Sequence, residues 1–501
     1  MRRGKRFLKL YSLMLTMLAT LTILAVVLRP VDGWVPLLKQ QYTLHFGPQV
    51  LNLHPLATPT PTEPVYEIKA QFHGDSGLIS GQMNVTVPEL RLDGLPLYLY
   101  VPMQVYGVKV NGTAVKAQVS EGQVLVPVKK STAPQTVTLT FRTQLPKAPS
   151  RTGYWQGVAT ASYWYPIVGV ERDGEWMKRP ATLGFGDPYL MDLGNYRVEL
   201  TTPGAFKWYS SGVQTGEQKL EDGRKMLTFQ AQKVRNFAMV GGAGFAETKY
   251  RTEEGMLVTV ASVAKADLGR AAALTRSAVK TYTQRIGTNP YPVLSVLELP
   301  AGTIYAHELP NLALFAQDLW EYDDPEHWIV HEIAHAWFYN AVGNYEVETP
   351  WLDEGLADYA ALLDMERREG AGAYQARIND AWKRFANNYT YSPYPYGTSN
   401  RVKTGKSAVP YGTYQTSQAH YYYTYQRMVL MYHDLRKLLG DEAFFKFLKQ
   451  YYLKNAGRTA TRADLEKALA DIEPKAVGRL KMWLDTPNDE LIGNVAGRFQ
   501  K

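Results

Sequence analysis

Residues 331–335 read His-Glu-Ile-Ala-His, and residues 349–359 read Thr-Pro-Trp-Leu-Asp-Glu-Gly-Leu-Ala-Asp-Tyr. Asp324 and Pro325 suit a helix cap and first turn, and Gly343-Asn344 can end the helix, so a helix is expected over 324–342. Side chains four apart on a helix lie roughly 40° from each other around its axis, so His331 and His335 share one face. Two neutral imidazoles at that spacing can bind one Zn²⁺. Glu332 sits one step round, beside the metal, where it can take a proton from a water. Such a site needs a third protein ligand. Thr349 and Pro350 mark a second helix start, and Glu354 follows His335 after 18 residues, enough for a helix end, a loop and a return. Asp358 lies one turn beyond Glu354 on the same face, placed to accept a hydrogen bond from a liganding histidine. Asp353 points about 100° away and suits a helix N-terminal charge.

Around this motif, the chain of 501 residues is too long for one compact core, so two or three domains are expected. With 45% apolar and 20% charged residues it is neither a disordered chain nor a multi-span membrane protein. Six of the eight net positive charges fall within residues 1–29, where there is no acid. The basic balance is therefore a targeting signal, and no nucleic-acid partner is expected. The absence of cysteine excludes disulfides, thiolate metal sites and cysteine nucleophiles.

Residues 10–28 carry no charge and are bracketed by Lys9 and Arg29. At about 1.5 Å per residue they span about 28 Å, close to the hydrocarbon thickness of a bilayer. Residues 1–29 read as a cytoplasmic tail and transmembrane anchor, with the catalytic part outside the cell membrane by the positive-inside bias. A cleaved signal peptide, giving a secreted protein, is the rival reading. Residues 30–64 form an extracytoplasmic linker, stiffened by Ala57-Thr-Pro-Thr-Pro-Thr-Glu-Pro64. Period-two alternation then predicts an N-terminal β-sheet domain over 65–262, with Asn111-Gly112 as a hairpin turn. From residue 267 the period becomes helical, at 268–286, 324–342, 350–366, 373–387, 425–439, 461–472 and 474–484. A long loop at 388–423 suits a pocket wall or lid. A catalytic domain over 263–487 and a short polar tail over 488–501 complete the chain.

His-Glu-x-x-His, 18 residues, and Glu within Trp-Leu-Asp-Glu-Gly resemble the aminopeptidase-N family of gluzincin metallopeptidases. Gly186-Asp-Pro-Tyr and Leu193-Gly-Asn-Tyr196 are similar to the later part of that family's sheet domain. Tyr425-Gln-Arg-Met, running to Leu438-Leu439-Gly440, resembles the segment bearing a catalytic tyrosine, and Trp483-Leu484 the close of the catalytic domain. With the transmembrane helix and the all-β domain read above, a multidomain α+β chain is expected, and the resemblance implies that its last part is a thermolysin-like, mostly α peptidase domain. It further implies one zinc per chain, held by His331, His335 and Glu354, and a peptide or protein substrate. Glu332 would act as the base and Tyr425 as the oxyanion donor, with Tyr423 the alternative in the crowded Tyr421-Tyr-Tyr-Thr-Tyr425.

The family's Gly-x-Met-Glu-Asn signature is matched only by Tyr305-Ala-His-Glu-Leu-Pro310. Glu308 stands where the resemblance puts the grip on the substrate's free amine, but Leu309 replaces asparagine and His307 replaces methionine. No large C-terminal helical domain is expected after 483–487, which leaves an open cleft or one closed by a membrane partner. An aminopeptidase is the leading expectation. A regulatory or quality-control endopeptidase and a silent binding module are the alternatives.

Overall fold

The structure is a computed structural model that describes residues 62–499, apart from 121, 181–183, 188, 265, 266, 304, 391–399, 402 and 404. The apolar run at 10–28 and nearly all of the linker lie outside the described residues. Among those described, no helix is long and apolar enough to cross a membrane.

Val65–Phe72 buries Tyr66, Ile68, Ala70 and Phe72 and turns the residues between them outward, the period-two pattern of a sheet with one covered face. It pairs antiparallel with Leu78–Val87 and parallel with the much later Gly194–Pro203, at the middle of an eight-stranded sheet. Asn111 and Gly112 both have positive φ, 49° and 82°, and turn Met103–Val110 into Thr113–Ala114 as a two-residue hairpin. Two four-stranded sheets and the two-stranded pair Glu171–Arg172 with Glu175–Trp176 also belong to this region.

A five-stranded sheet begins earlier than periodicity places the domain boundary. Ala246–Arg251 and Leu257–Ser262, assigned above to the β domain, join Val293–Leu299, Leu312–Ala316 and Ala306–Leu309 instead. Val258 to Ser262 are all buried, as expected for a strand covered on both faces, and alternation alone does not reveal which sheet takes it. Ala306–Leu309 is the edge strand and pairs antiparallel with Leu312–Ala316. It brings Glu308 beside the motif helix. Residues from Pro61 onward form one compact unit.

The helices are α1 (Leu268–Arg285), α2 (Pro325–Ala334), α3 (Trp351–Glu369), α4 (Ala371–Ala386) and α5 (Ser417–Tyr421). After a π-helical turn at Tyr422–Gln426 come α6 (Arg427–Leu439), α7 (Asp441–Asn455), α8 (Arg462–Ala470), α9 (Ala476–Asp485) and α10 (Asn488–Val495). Four differ from expectation, and the first is α5, which lies inside the segment expected as a loop. The motif helix α2 stops at Ala334, because the chain turns back through residues 336–341 with Tyr339 at φ 133°, a conformation no helix continues through. Asp324 does not cap it; at φ 59° its carboxylate pairs with Arg377 at 2.5 Å. Helix α7 was not anticipated, although Phe444, Phe447, Leu448, Tyr451 and Tyr452 bury a face at helical spacing. The segment expected as a polar tail contains α10 and is packed in place: Asn488 accepts from Arg427 at 2.9 Å, and Phe499 stacks on Trp382 at 4.6 Å.

Candidate metal centre and catalytic pocket

His331 stands near the end of α2, and His335 is its C-cap residue with near-helical φ −64° and ψ −15°, so both keep one face. Glu354 projects from the first turns of α3, which packs on α2. The three are buried and converge. The two Nε2 atoms are 3.1 Å apart, and each is 3.3 Å from Glu354 Oε2. Four-coordinate zinc with bonds of about 2.0–2.1 Å spaces its ligand atoms roughly 3.3–3.4 Å apart. The triangle therefore fits one zinc ion, and buried Glu354 Oε2 has no hydrogen-bond donor among the described residues. The next residue must be small. A Cβ on Gly355 would lie 2.5 Å from Met428 Cβ, so glycine lets α3 press against the segment that carries the tyrosines.

His335 Nδ1 donates to the Phe338 carbonyl at 2.9 Å, which leaves Nε2 as the metal-facing lone pair. The Phe338 carbonyl has no signature in sequence. Asp358 is placed less simply than expected. Its Oδ1 lies 3.7 Å from His331 Nδ1, beyond hydrogen-bond reach, and is bonded at 2.6 Å to Nε2 of a third histidine, His327. Asp353 is buried and held by Asn344 Nδ2 at 3.0 Å, so it is no surface helix-end charge.

Glu332 is buried beside the triangle with Oε2 unpartnered. Burial pushes its carboxyl up to about 8, with Glu308 and Glu354 adding to the rise and the two histidines opposing it. Bound zinc would oppose that rise further. Asp358 and Glu354 outweigh burial at His331 and lift it to about 9.

Tyr425 lies on the π-helical turn, lines the pocket with Glu332 and Glu354, and stacks on His331 with ring centres 5.6 Å apart. Tyr423 is not among the lining residues. Its hydroxyl donates to the Lys403 carbonyl at 2.6 Å and accepts from Asn488 Nδ2 at 3.2 Å. Glu308 enters the same pocket from the edge strand, within 4.8 Å of Glu332 and His335 donor atoms. His307 lies on the other strand face, buried, and burial keeps it neutral.

Sequence reasoning missed four contributors. Trp328 and Tyr421 wall the pocket, and Arg151 and Asp187 reach it from the β region. Arg151 Nη2 donates to Asp187 Oδ2 at 2.7 Å, and its Nη1 lies 3.6 Å from Glu308 Oε1. No local pattern announces this pair. His327 did carry a signal, since 327, 331 and 335 are spaced by four.

Residues 295–483 match the Peptidase family M1 domain. Aminopeptidase O of Homo sapiens is 25% identical over 212 residues, 38% of this chain and 25% of that protein. Aminopeptidase N of Lactobacillus delbrueckii subsp. lactis is 24% identical over 293 residues, 54% of this chain and 33% of that protein. The chain thus spans a quarter to a third of these relatives. Among solved structures, an M1 zinc metallopeptidase mutant from Deinococcus radiodurans superposes with TM-score 0.63 at 20% identity, covering 85% of this chain and 94% of that one. The same mutant bound to a Tyr-ser-ala substrate gives 0.62 at 20% identity, covering 84% and 93%.

Proposed function

The chain carries a peptidase family M1 domain at residues 295–483, and on that premise we propose that it is a zinc aminopeptidase anchored to the cell membrane. It removes amino-terminal residues from peptides outside the cytoplasm. One observation carries the chemistry: His331, Glu354, Glu332 and Glu308 line one small pocket, and His335 completes the metal triangle beside them. The anchor is supported by the 19 uncharged residues at 10–28, bracketed by Lys9 and Arg29.

Zinc, when bound by His331, His335 and Glu354, supplies a Lewis acid for the scissile carbonyl and makes a water more acidic. The unpartnered Oε2 of Glu332 accepts the attacking water's proton, and Glu332 later delivers it to the leaving amine. Tyr425 donates its hydroxyl to the oxygen on which negative charge develops. Glu308 accepts the substrate's α-ammonium and so sets cleavage one residue from the chain end. Trp328 and Tyr421 narrow access by water.

One observation favours an endopeptidase as the second reading. The Arg151 guanidinium, 3.6 Å from Glu308, competes with an α-ammonium for the same carboxylate. Asp187 binds that guanidinium more closely, which leaves Glu308 the charge to offer and favours the aminopeptidase. Paired fluorogenic peptides, one with a free α-amine and one acetylated, separate the readings when incubated with the solubilised full chain with and without chelator. Chelator-sensitive cleavage of the free-amine peptide alone is expected. Equal cleavage of both would make it an endopeptidase, and cleavage of neither by zinc-loaded protein would sink both readings.

A further inference from the structure

We propose that His327 is a positioning residue for the metal site: it holds the Asp358 carboxylate where one oxygen can support the ring of His331. The inference rests on the zinc reading above. His327, His331 and His335 form a stripe on α2, but only the last two turn Nε2 toward Glu354. His327 spends its Nε2 on Asp358 Oδ1, at 2.6 Å and fully buried. That same oxygen lies 3.7 Å from His331 Nδ1.

The two metal-facing rings are unequally supported. His335 Nδ1 has the Phe338 carbonyl, whereas buried His331 Nδ1 has no hydrogen bond among the described residues, and Asp358 is the group set beside it. A liganding imidazole gains orientation and basicity by donating its second N–H to a carboxylate. Less than an ångström of movement would bring Asp358 Oδ1 within reach of His331 Nδ1. The carboxylate must be restrained for this to occur, because it also borders a cavity of mixed lining whose polar groups include Asp324, Arg377 and Gln426. Among the described residues, its hydrogen bond at normal distance comes from His327. Without that bond the carboxylate can turn into the cavity toward Arg377, and His331 is left unsupported.

A histidine that merely fills space would not show the geometry dependence this role demands. In a glutamine the amide nitrogen falls near the place of Nε2, and in an asparagine near that of Nδ1, which here has no partner. Zinc itself is the probe, titrated against a chelating dye into stripped, solubilised full chain, with far-UV circular dichroism checking the fold. His327→Asn is expected to weaken zinc binding about tenfold, the lower end for losing an outer partner, while His327→Gln stays within about twofold of the parent. In an Asp358→Ala background, His327→Asn should add no further loss. If Asn and Gln behave alike, or the losses add in the double variant, the positioning role is wrong. A parent chain that binds no zinc would defeat the metal reading as well, so the two failures are distinguishable.

Discussion

Tyr425 and Tyr423 stand two positions apart on one π-helical turn, and their surroundings assign them different tasks. Tyr425 faces the metal triangle and stacks on His331. Tyr423 ties the Lys403 carbonyl to Asn488, far along the chain. Tyr425→Phe is therefore expected to lower kcat about 10²–10³-fold with KM little changed. Tyr423→Phe should leave kcat within about twofold and lower the melting temperature. Steady-state kinetics on both variants check this; a larger kcat loss in Tyr423→Phe would reverse the roles. In the sequence the two are hard to separate. Which ring faces the metal depends on the phase of the turn, and the π-helical winding shifts that phase from the α-helical one. His331 and His335 are legible because helical spacing puts them on one face, and Glu354 because it follows at the start of a second helix that packs on the first.

At the scale of elements, α4 and α6 meet through Tyr374, whose hydroxyl bonds His433 Nδ1 at 2.8 Å. Burial depresses His433 to about 4, helped by Lys437 and Arg436 and opposed by Asp434. An unfolded histidine titrates near 6.5. Above that pH the ring is neutral in both states and the full stability is present. As pH falls from 6.5 toward 4 the unfolded chain takes up a proton that the folded chain resists, so stability is lost. The melting temperature is expected to fall across that window, with a shallower slope in His433→Gln. An unchanged slope would remove His433 from the account. His420, also depressed to about 4 by burial, accounts for a remaining slope in the variant. Most helices were readable within two or three residues from their apolar period. Helix α2 was not, since its early stop comes from the turn around Tyr339, and that turn is held from a distance: Arg235 donates to the Tyr339 carbonyl at 2.7 Å.

That arginine shows why the whole molecule is less legible than its motif. Arg235 also reaches the Arg458 carbonyl and Thr459, and a Cβ on Gly343 would lie 1.6 Å from its guanidinium. Arg151 and Asp187 line the pocket from the β region as well. Contacts between residues a hundred or more positions apart leave no local pattern. Strand order in a sheet is likewise a long-range property, so alternation does not reveal that Leu257–Ser262 joins the later sheet.

The account depends most on one metal ion working with Glu332. Its most direct test is to strip the full chain with chelator and titrate zinc back while following hydrolysis of a free-amine peptide. Activity should return in proportion to zinc and saturate at one ion per chain. Glu332→Gln should take up the same single ion yet remain about 10²–10⁴-fold slower. Hydrolysis that persists without metal, or a Glu332→Gln chain as active as the parent, would contradict the account.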